Sequence, residues 1–147
     1  MGKVDQGFVV LWMAKHFWEQ ELTYLGYGGA GKQVRDVLHI TDLCRLVEIQ
    51  IDSIASLDGQ TFNVGGGPRN CVSLRELTSM CQQITGNNAS IRSMSQNREA
   101  DIRIYVTDNS RVEQATNWSP TLSVEQTLDD IYVWIRDNSE SLRAILS

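Results

Sequence analysis

The sequence predicts an α/β (α+β) fold, a small mixed sheet with several packed helices. Three observations predict it. Short runs rich in branched and aromatic residues, Leu22–Leu25, Val34–Ile40 and Thr61–Val64, have the composition of strands. Longer segments carry apolar residues at helical spacing and open on Ser, Thr or Asp. A chain of 147 residues, 41% hydrophobic and 21% charged, has the apolar content of one core, so residues 1–147 are expected to form a single domain.

The elements follow in order. Residues from Asp5 to Glu19 read as a helix with Asp5 as its cap. Phe8 to Ala14, with Phe17 and Trp18, make it apolar on nearly every side. Such a helix is buried all round, either as a central core helix or beneath another domain or subunit, and periodicity does not separate the two. Leu22–Leu25 then enters a glycine cluster at Gly26, Gly28, Gly29 and Gly31, and Val34–Ile40 leaves it as a second strand. Thr41-Asp42 suits a helix start, and Leu43, Leu46, Val47, Ile51 and Ile54 form one stripe down to Ser56. Asp58-Gly59 ends that helix, Thr61–Val64 reads as a short buried strand, and Gly65-Gly66-Gly67-Pro68 gives a sharp loop.

Ser73 and Glu76 have capping-box spacing, and the helix they open runs through Leu77, Met80, Cys81 and Ile84 to stop at Gly86. Ser90–Met94 is an edge strand, and Arg98–Tyr105 is a further extended run mixing arginines with an acid. Asp108 or Asn109 caps a short helix to Thr116, and Trp118-Ser119-Pro120 breaks the chain. Ser123 opens the last helix. Its Val124, Leu128, Ile131 and Ile135 face inward, and Val133 and Trp134 point to a contact surface.

The glycine cluster either presents Lys32, Arg35 and bare backbone N–H groups to something anionic or is a glycine-rich hairpin with no ligand, and glycine content does not separate the two. Gly26, Gly28 and Gly31 match G-x-G-x-x-G, but a dinucleotide turn needs a helix opening at its last glycine. The following residues read as strand instead. Gly26 to Lys32 also fits the start of a phosphate-binding P-loop, yet Gln33 replaces the hydroxyl that would hold magnesium. Both assignments are rejected.

A net charge of −5 and no basic run argue against nucleic acid. The longest apolar run, Phe8–Ala14, is too short to span a bilayer, and no secretory signal is visible, so a cytoplasmic location is expected. Cys44, Cys71 and Cys81 form no C-x-x-C pair and read as reduced structural thiols. His16 and His39 have no metal or triad spacing and read as structural or solvent-facing; no metal site is expected.

The ordered set Asp5-Gln6-Gly7, Gly28-x-Gly-Lys-Gln-Val-Arg35-Asp36-Val-x-His39-x-x-Asp42-Leu43, Phe62-Asn63-Val64-Gly65, Val72-Ser73-Leu74-x-Glu-Leu77 and Arg98-x-x-Asp101 spans most of the chain. It resembles the carboxy-terminal half of an NAD-dependent nucleotide-sugar epimerase/dehydratase, of the extended short-chain dehydrogenase/reductase family, and is closest in wording to the CDP-paratose/CDP-tyvelose 2-epimerase branch. The resemblance implies the substrate-binding portion of such an enzyme, not a complete Rossmann fold. In the family the amino-terminal half binds NAD and supplies a Tyr-x-x-x-Lys pair. Tyr24, Tyr27, Tyr105 and Tyr132 have Gly28, Gly31, Asn109 and Arg136 four positions on, so no such pair is present. The expectation is therefore no catalytic residue, no cofactor bound by this chain, and no self-sufficient epimerase. Met1 opens where the family's carboxy-terminal region begins, which fits either a truncated piece or an orphan gene of the kind carried on an integron cassette.

Residue by residue, the resemblance implies that Arg35 grips the substrate diphosphate, Arg98 adds a second cation and Asp101 accepts from the ribose hydroxyls. Asp36 and Asp42 are expected to hold backbone and caps. Glu99 departs from the proline usual after that arginine and brings a negative charge toward the phosphates. The implied ligand is a CDP- or UDP-linked sugar. The competing expectation is a diverged oligomeric interaction module with no retained ligand. In the family the helix after Thr41 and the Thr61–Val64 strand pack on the dinucleotide domain. Their exposure here would favour a homo-oligomer or pairing with a separate NAD-binding half.

Overall fold

The structure, a computed structural model, describes residues 7–97 and 101–146. These residues form a mixed α/β fold that falls into two compact units. The first comprises the described residues within Met1–Gln33, Ser73–Arg103 and Glu125–Ser147, and the second comprises Val34–Val72 and Ile104–Val124.

In the first unit, helix α1 (Phe8–Phe17) packs on α4 (Leu74–Thr85) and on α7 (Ser139–Leu146). Trp12, Met13, Ala14 and His16 of α1 are buried, as are Leu77 and Cys81 of α4. Trp12 ties three segments together. Its indole stacks on Tyr24 at 6.0 Å and donates to Thr78 Oγ1 at 2.9 Å, and the Tyr24 hydroxyl meets the same oxygen at 2.7 Å. His16 is structural, its Nδ1 donating to the Trp12 carbonyl at 2.8 Å. The helix opens at Phe8 after Gly7; Asp5, the expected cap, lies outside the described residues.

Strand β1 (Leu22–Leu25) pairs in parallel with β4 (Ile91–Met94), Leu22 opposite Ile91 and Leu25 opposite Met94. The expected capping box is present. Ser73 Oγ accepts the Glu76 N–H at 3.2 Å, and Glu76 accepts the Ser73 N–H at 2.8 Å. Gly86 closes α4 in the left-handed region at φ +73. Helix α6 (Val124–Asp137) buries Val124, Leu128 and Ile135, with Ile131 half-buried and Val133 and Trp134 exposed as expected. Helix α7 was not among the sequence expectations.

In the second unit, β2 (Val34–Asp36) lies between β3 (Cys71–Ser73) and β5 (Ile104–Tyr105), parallel to β5. The expected strand Val34–Ile40 is thus cut short. Beyond Asp36 the Val37 N–H turns to the Asn70 carbonyl at 3.0 Å, and His39 becomes the N-cap of α2 (Ile40–Asp52), its Nδ1 accepting the Thr41 N–H at 3.1 Å. The cap is therefore His39, not Thr41 or Asp42. The helix breaks at Ser53 and resumes as α3 (Ile54–Leu57).

Thr61–Val64 is not a strand, because no strand lies alongside it among the described residues. Phe62 and Val64, with Leu38 and Ile49, instead pack against a buried cluster of Leu46, Val112 of α5 (Ser110–Thr116) and Trp118. Of the expected α2 stripe only Leu46 is buried. Leu43, Val47, Ile51 and Ile54 face outward with Ile40, and Ile40, Ile51 and Ile54 are 65%, 64% and 67% exposed.

Candidate functional site

The Arg35-Asp36 pair occupies β2, where alternate side chains leave opposite faces of the strand. Asp36 is spent on architecture. Its Oδ2 accepts the N–H of Gly67 at 2.9 Å, holding the Gly65-Gly66-Gly67 loop against the strand. Asn109 grips the same loop from both sides, accepting the Gly65 N–H at 3.0 Å and donating to the Gly65 carbonyl at 2.9 Å. The loop must be glycine for reasons of space. A Cβ on Gly66 would stand 2.0 Å from the Val37 carbonyl oxygen, and one on Gly65 would stand 2.2 Å from Thr107 Oγ1.

Arg35 stands opposite Tyr105 in the β2–β5 register and is half-buried, with Nη1 donating to the Val34 carbonyl at 2.8 Å. The strand thus separates a structural acid from a planar five-donor cation suited to phosphate. Asp42 is likewise structural, as expected. It is wholly buried and accepts from the backbone of Thr121 and Leu122. A recess of ≈ 250 Å³ in this unit is lined by residues including Gly67, Arg69, Asn109 and Glu113, but Arg35 is not among them.

Asp101 belongs to the first unit, where its backbone carbonyl accepts from the Tyr27 hydroxyl. The Tyr27 N–H donates to Asn97 Oδ1 at 2.7 Å, so the glycine loop is tied to the segment that leads toward Asp101. Arg98 and Glu99 lie outside the described residues. Arg35 and Asp101 thus stand in different units, each positioned by its own surroundings.

After Gly31 the chain proceeds to β2 at Val34, with no helix at that glycine. The loop therefore lacks the helix N-terminus a dinucleotide pyrophosphate needs, and these residues do not fit NAD in that way. Among the described residues no group of three or more metal-ligating side chains occurs, and no helix is long and apolar enough to cross a membrane.

Over 106 residues, 72% of this chain, the sequence is 33% identical to CDP-paratose 2-epimerase of Salmonella typhi. The chain is a partial-length homologue of the nucleotide-sugar epimerases and dehydratases. A second member, UDP-glucuronate 4-epimerase of Thermodesulfobacterium geofontis, is 29% identical over 117 residues, 80% of this chain. These matches take in 31% and 35% of the two relatives, so the chain spans about a third of the length of the epimerases it matches. Its fold is that of the extended short-chain dehydrogenase/reductase epimerases. The UDP-glucuronic acid 4-epimerase from Bacillus cereus, in complex with UDP-glucuronic acid and NAD, superimposes with a TM-score of 0.74 at 23% identity, covering 85% of this chain and 38% of that one. No protein-family model matches the chain.

Sequence reasoning singled out Arg35, Asp36 and Asp42 but read Asn109 only as a candidate helix cap. A lone asparagine before a short helix reads as a cap, and its grip on Gly65, 44 residues away, has no local signal.

Proposed function

We propose that this chain is the nucleotide-sugar-binding portion of an epimerase/dehydratase, equivalent to the carboxy-terminal substrate region of the family. It acts as one domain and is not catalytically self-sufficient. Arg35 grips the diphosphate of a CDP- or UDP-linked sugar, Arg98 adds a second cation and Asp101 accepts from the ribose. NAD and the Tyr-x-x-x-Lys chemistry belong to a nucleotide-binding half supplied elsewhere, and the cytoplasm is the compartment that fits. The observation that carries this reading is the 33% identity with a CDP-sugar epimerase over 72% of the chain; the position of Arg35 on β2, next to an Asp36 that turns to the glycine loop, supports its part in it.

One surface supports a partner half: the outward apolar face of α2 and α3 is the kind of patch that marks an interaction site. Calorimetric titration with UDP- and CDP-linked sugars tests the ligand, with NAD as a third arm. Heat with either sugar nucleotide and none with NAD supports the reading. Heat with NAD alone contradicts it, and silence with all three favours a module that has lost its ligand.

A further inference from the structure

The ≈ 250 Å³ recess of the second unit has walls fixed by hydrogen bonds. Asp36 and Asn109 hold the loop at Gly67 and Gly65, and Asp42 pins the other wall through the N–H groups of Thr121 and Leu122. Walls held in this way have little freedom left to lose when a ligand enters. Asn70, only 7% exposed, joins the two walls. Its N–H donates to the Gly67 carbonyl at 3.1 Å and its carbonyl accepts the Val37 N–H at 3.0 Å. Its Nδ2 donates to the Leu122 carbonyl at 3.0 Å, which settles the orientation of the amide, since only the NH2 end can donate. Oδ1 is left as a fixed acceptor with no hydrogen bond among the described residues. The unpartnered side-chain atoms that are fully enclosed are His16 Nε2, Gln20 Oε1 and Gln33 Oε1, so Asn70 Oδ1 keeps an opening, and the recess is the opening that Asn70 lines. An acceptor on so buried a side chain calls for a donor.

Arg69 and Glu113 line the same recess, and both are exposed. Among the described residues neither forms an ion pair, with the other or with any third group. Opposite charges that share a recess without neutralising one another fit a ligand that carries both signs. A phosphate-class anion would meet Arg69 but also the Glu113 carboxylate and the Asn70 lone pairs. A neutral polyol would satisfy the acceptors and leave the charges unmatched. An ammonium group donates to both Asn70 Oδ1 and Glu113, and an adjoining carboxylate takes the planar fork of Arg69. Pro68 and Pro120 add apolar wall. The volume is below the roughly 300–1,000 Å³ of pockets for drug-sized ligands, which suits a free amino acid better than a nucleotide.

We propose that Arg69, Asn70 and Glu113 form a binding site for a free α-amino acid, its ammonium held by Asn70 Oδ1 and Glu113 and its carboxylate by Arg69. The site goes beyond the sugar-nucleotide reading and does not rest on it. The test titrates L-alanine and L-leucine separately into the isotope-labelled chain, with acetate, ethylammonium and glucose as ligands that carry one charge, the other, or neither. Saturable movement of the Gly67 amide and the Asn70 side-chain amide signals with at least one amino acid, at least about ten-fold tighter than with any of the three controls, supports the site. Arg69→Gln and Glu113→Gln replace exposed side chains, so the fold should survive both. Each should weaken amino-acid binding about three- to ten-fold, and the pair together more than about ten-fold. The proposal is overturned if neither amino acid moves those signals, if acetate, ethylammonium or glucose binds as tightly, or if the double variant binds as the parent does.

Discussion

Asp42, wholly buried at the start of α2, accepts both the N–H and the hydroxyl of Thr121 at 2.9 Å each, joining segments 79 residues apart. The Leu122 N–H adds a third bond at 3.0 Å, and Arg45 reaches the same carboxylate at 3.0 Å while also donating to the Ser119 carbonyl. Burial alone would raise this carboxyl. The bonds from Leu122 and Thr121, with the Arg45 charge, outweigh it and hold the group below its ordinary value. Removing the acid strands two backbone donors, so Asp42→Ala should cost about 2–4 kcal/mol by denaturant unfolding. A depressed carboxyl stabilises the fold above its unfolded pKa and loses that contribution as pH falls through its folded pKa. The parent should therefore lose stability below about pH 4, and Asp42→Asn should be weaker at neutral pH with a flatter acid limb. Parallel acid limbs would remove Asp42 from this role.

Two glycines should respond very differently to alanine. Gly66→Ala drives a Cβ into the Val37 carbonyl at 2.0 Å, where backbone must move, and should cost about 3 kcal/mol or more. Gly59 is left-handed at φ +71 with open space around it, so Gly59→Ala should cost only about 1–2 kcal/mol. Equal losses in paired thermal melts would show that the Gly66 contact is not tight.

The three thiols should react in a fixed order. Cys44 is exposed, Cys71 is half-buried with its thiol pushed up by burial and then by Asp36, and burial pushes Cys81 up to about 12. Since the thiolate is the reactive form, a disulfide reagent should label Cys44 first and Cys81 only on unfolding. Early labelling of Cys81 would mean that α4 opens locally.

We propose that, when no partner half is present to cover it, the outward face of α2 is covered by a second copy of the chain. Ile51→Glu places a charge at a 64% exposed position, so it should abolish association in light scattering while shifting stability by no more than about 0.5 kcal/mol. A parent chain that stays monomeric at every concentration contradicts this.

Features set by neighbours in sequence were legible. The Ser73–Glu76 box, the Gly86 stop and the Leu22–Leu25 strand all formed as read, because capping and glycine conformation are local. Features set by distant partners were not. Thr61–Val64 has strand composition but no ladder partner among the described residues, and composition cannot supply one. The Val34–Ile40 reading overran because His39 caps α2 with its ring, a role that branched residues on either side disguise. The α2 periodicity was real, yet it marked an outward face with Leu46 alone turned inward. At the site, Arg35 and Asp36 could be picked out by their resemblance to a motif. Asn109 could not be picked out in that way, since its grip on Gly65 reaches 44 residues along the chain.

The central claim, that Arg35 grips the diphosphate of a sugar nucleotide, is tested most directly by the dissociation constants of one UDP- or CDP-linked sugar for the parent chain and for Arg35→Ala. Loss of a charge-assisted, forked contact predicts weakening by roughly ten- to a hundred-fold with the fold intact. Equal affinities, or a parent chain that binds neither nucleotide, would contradict it.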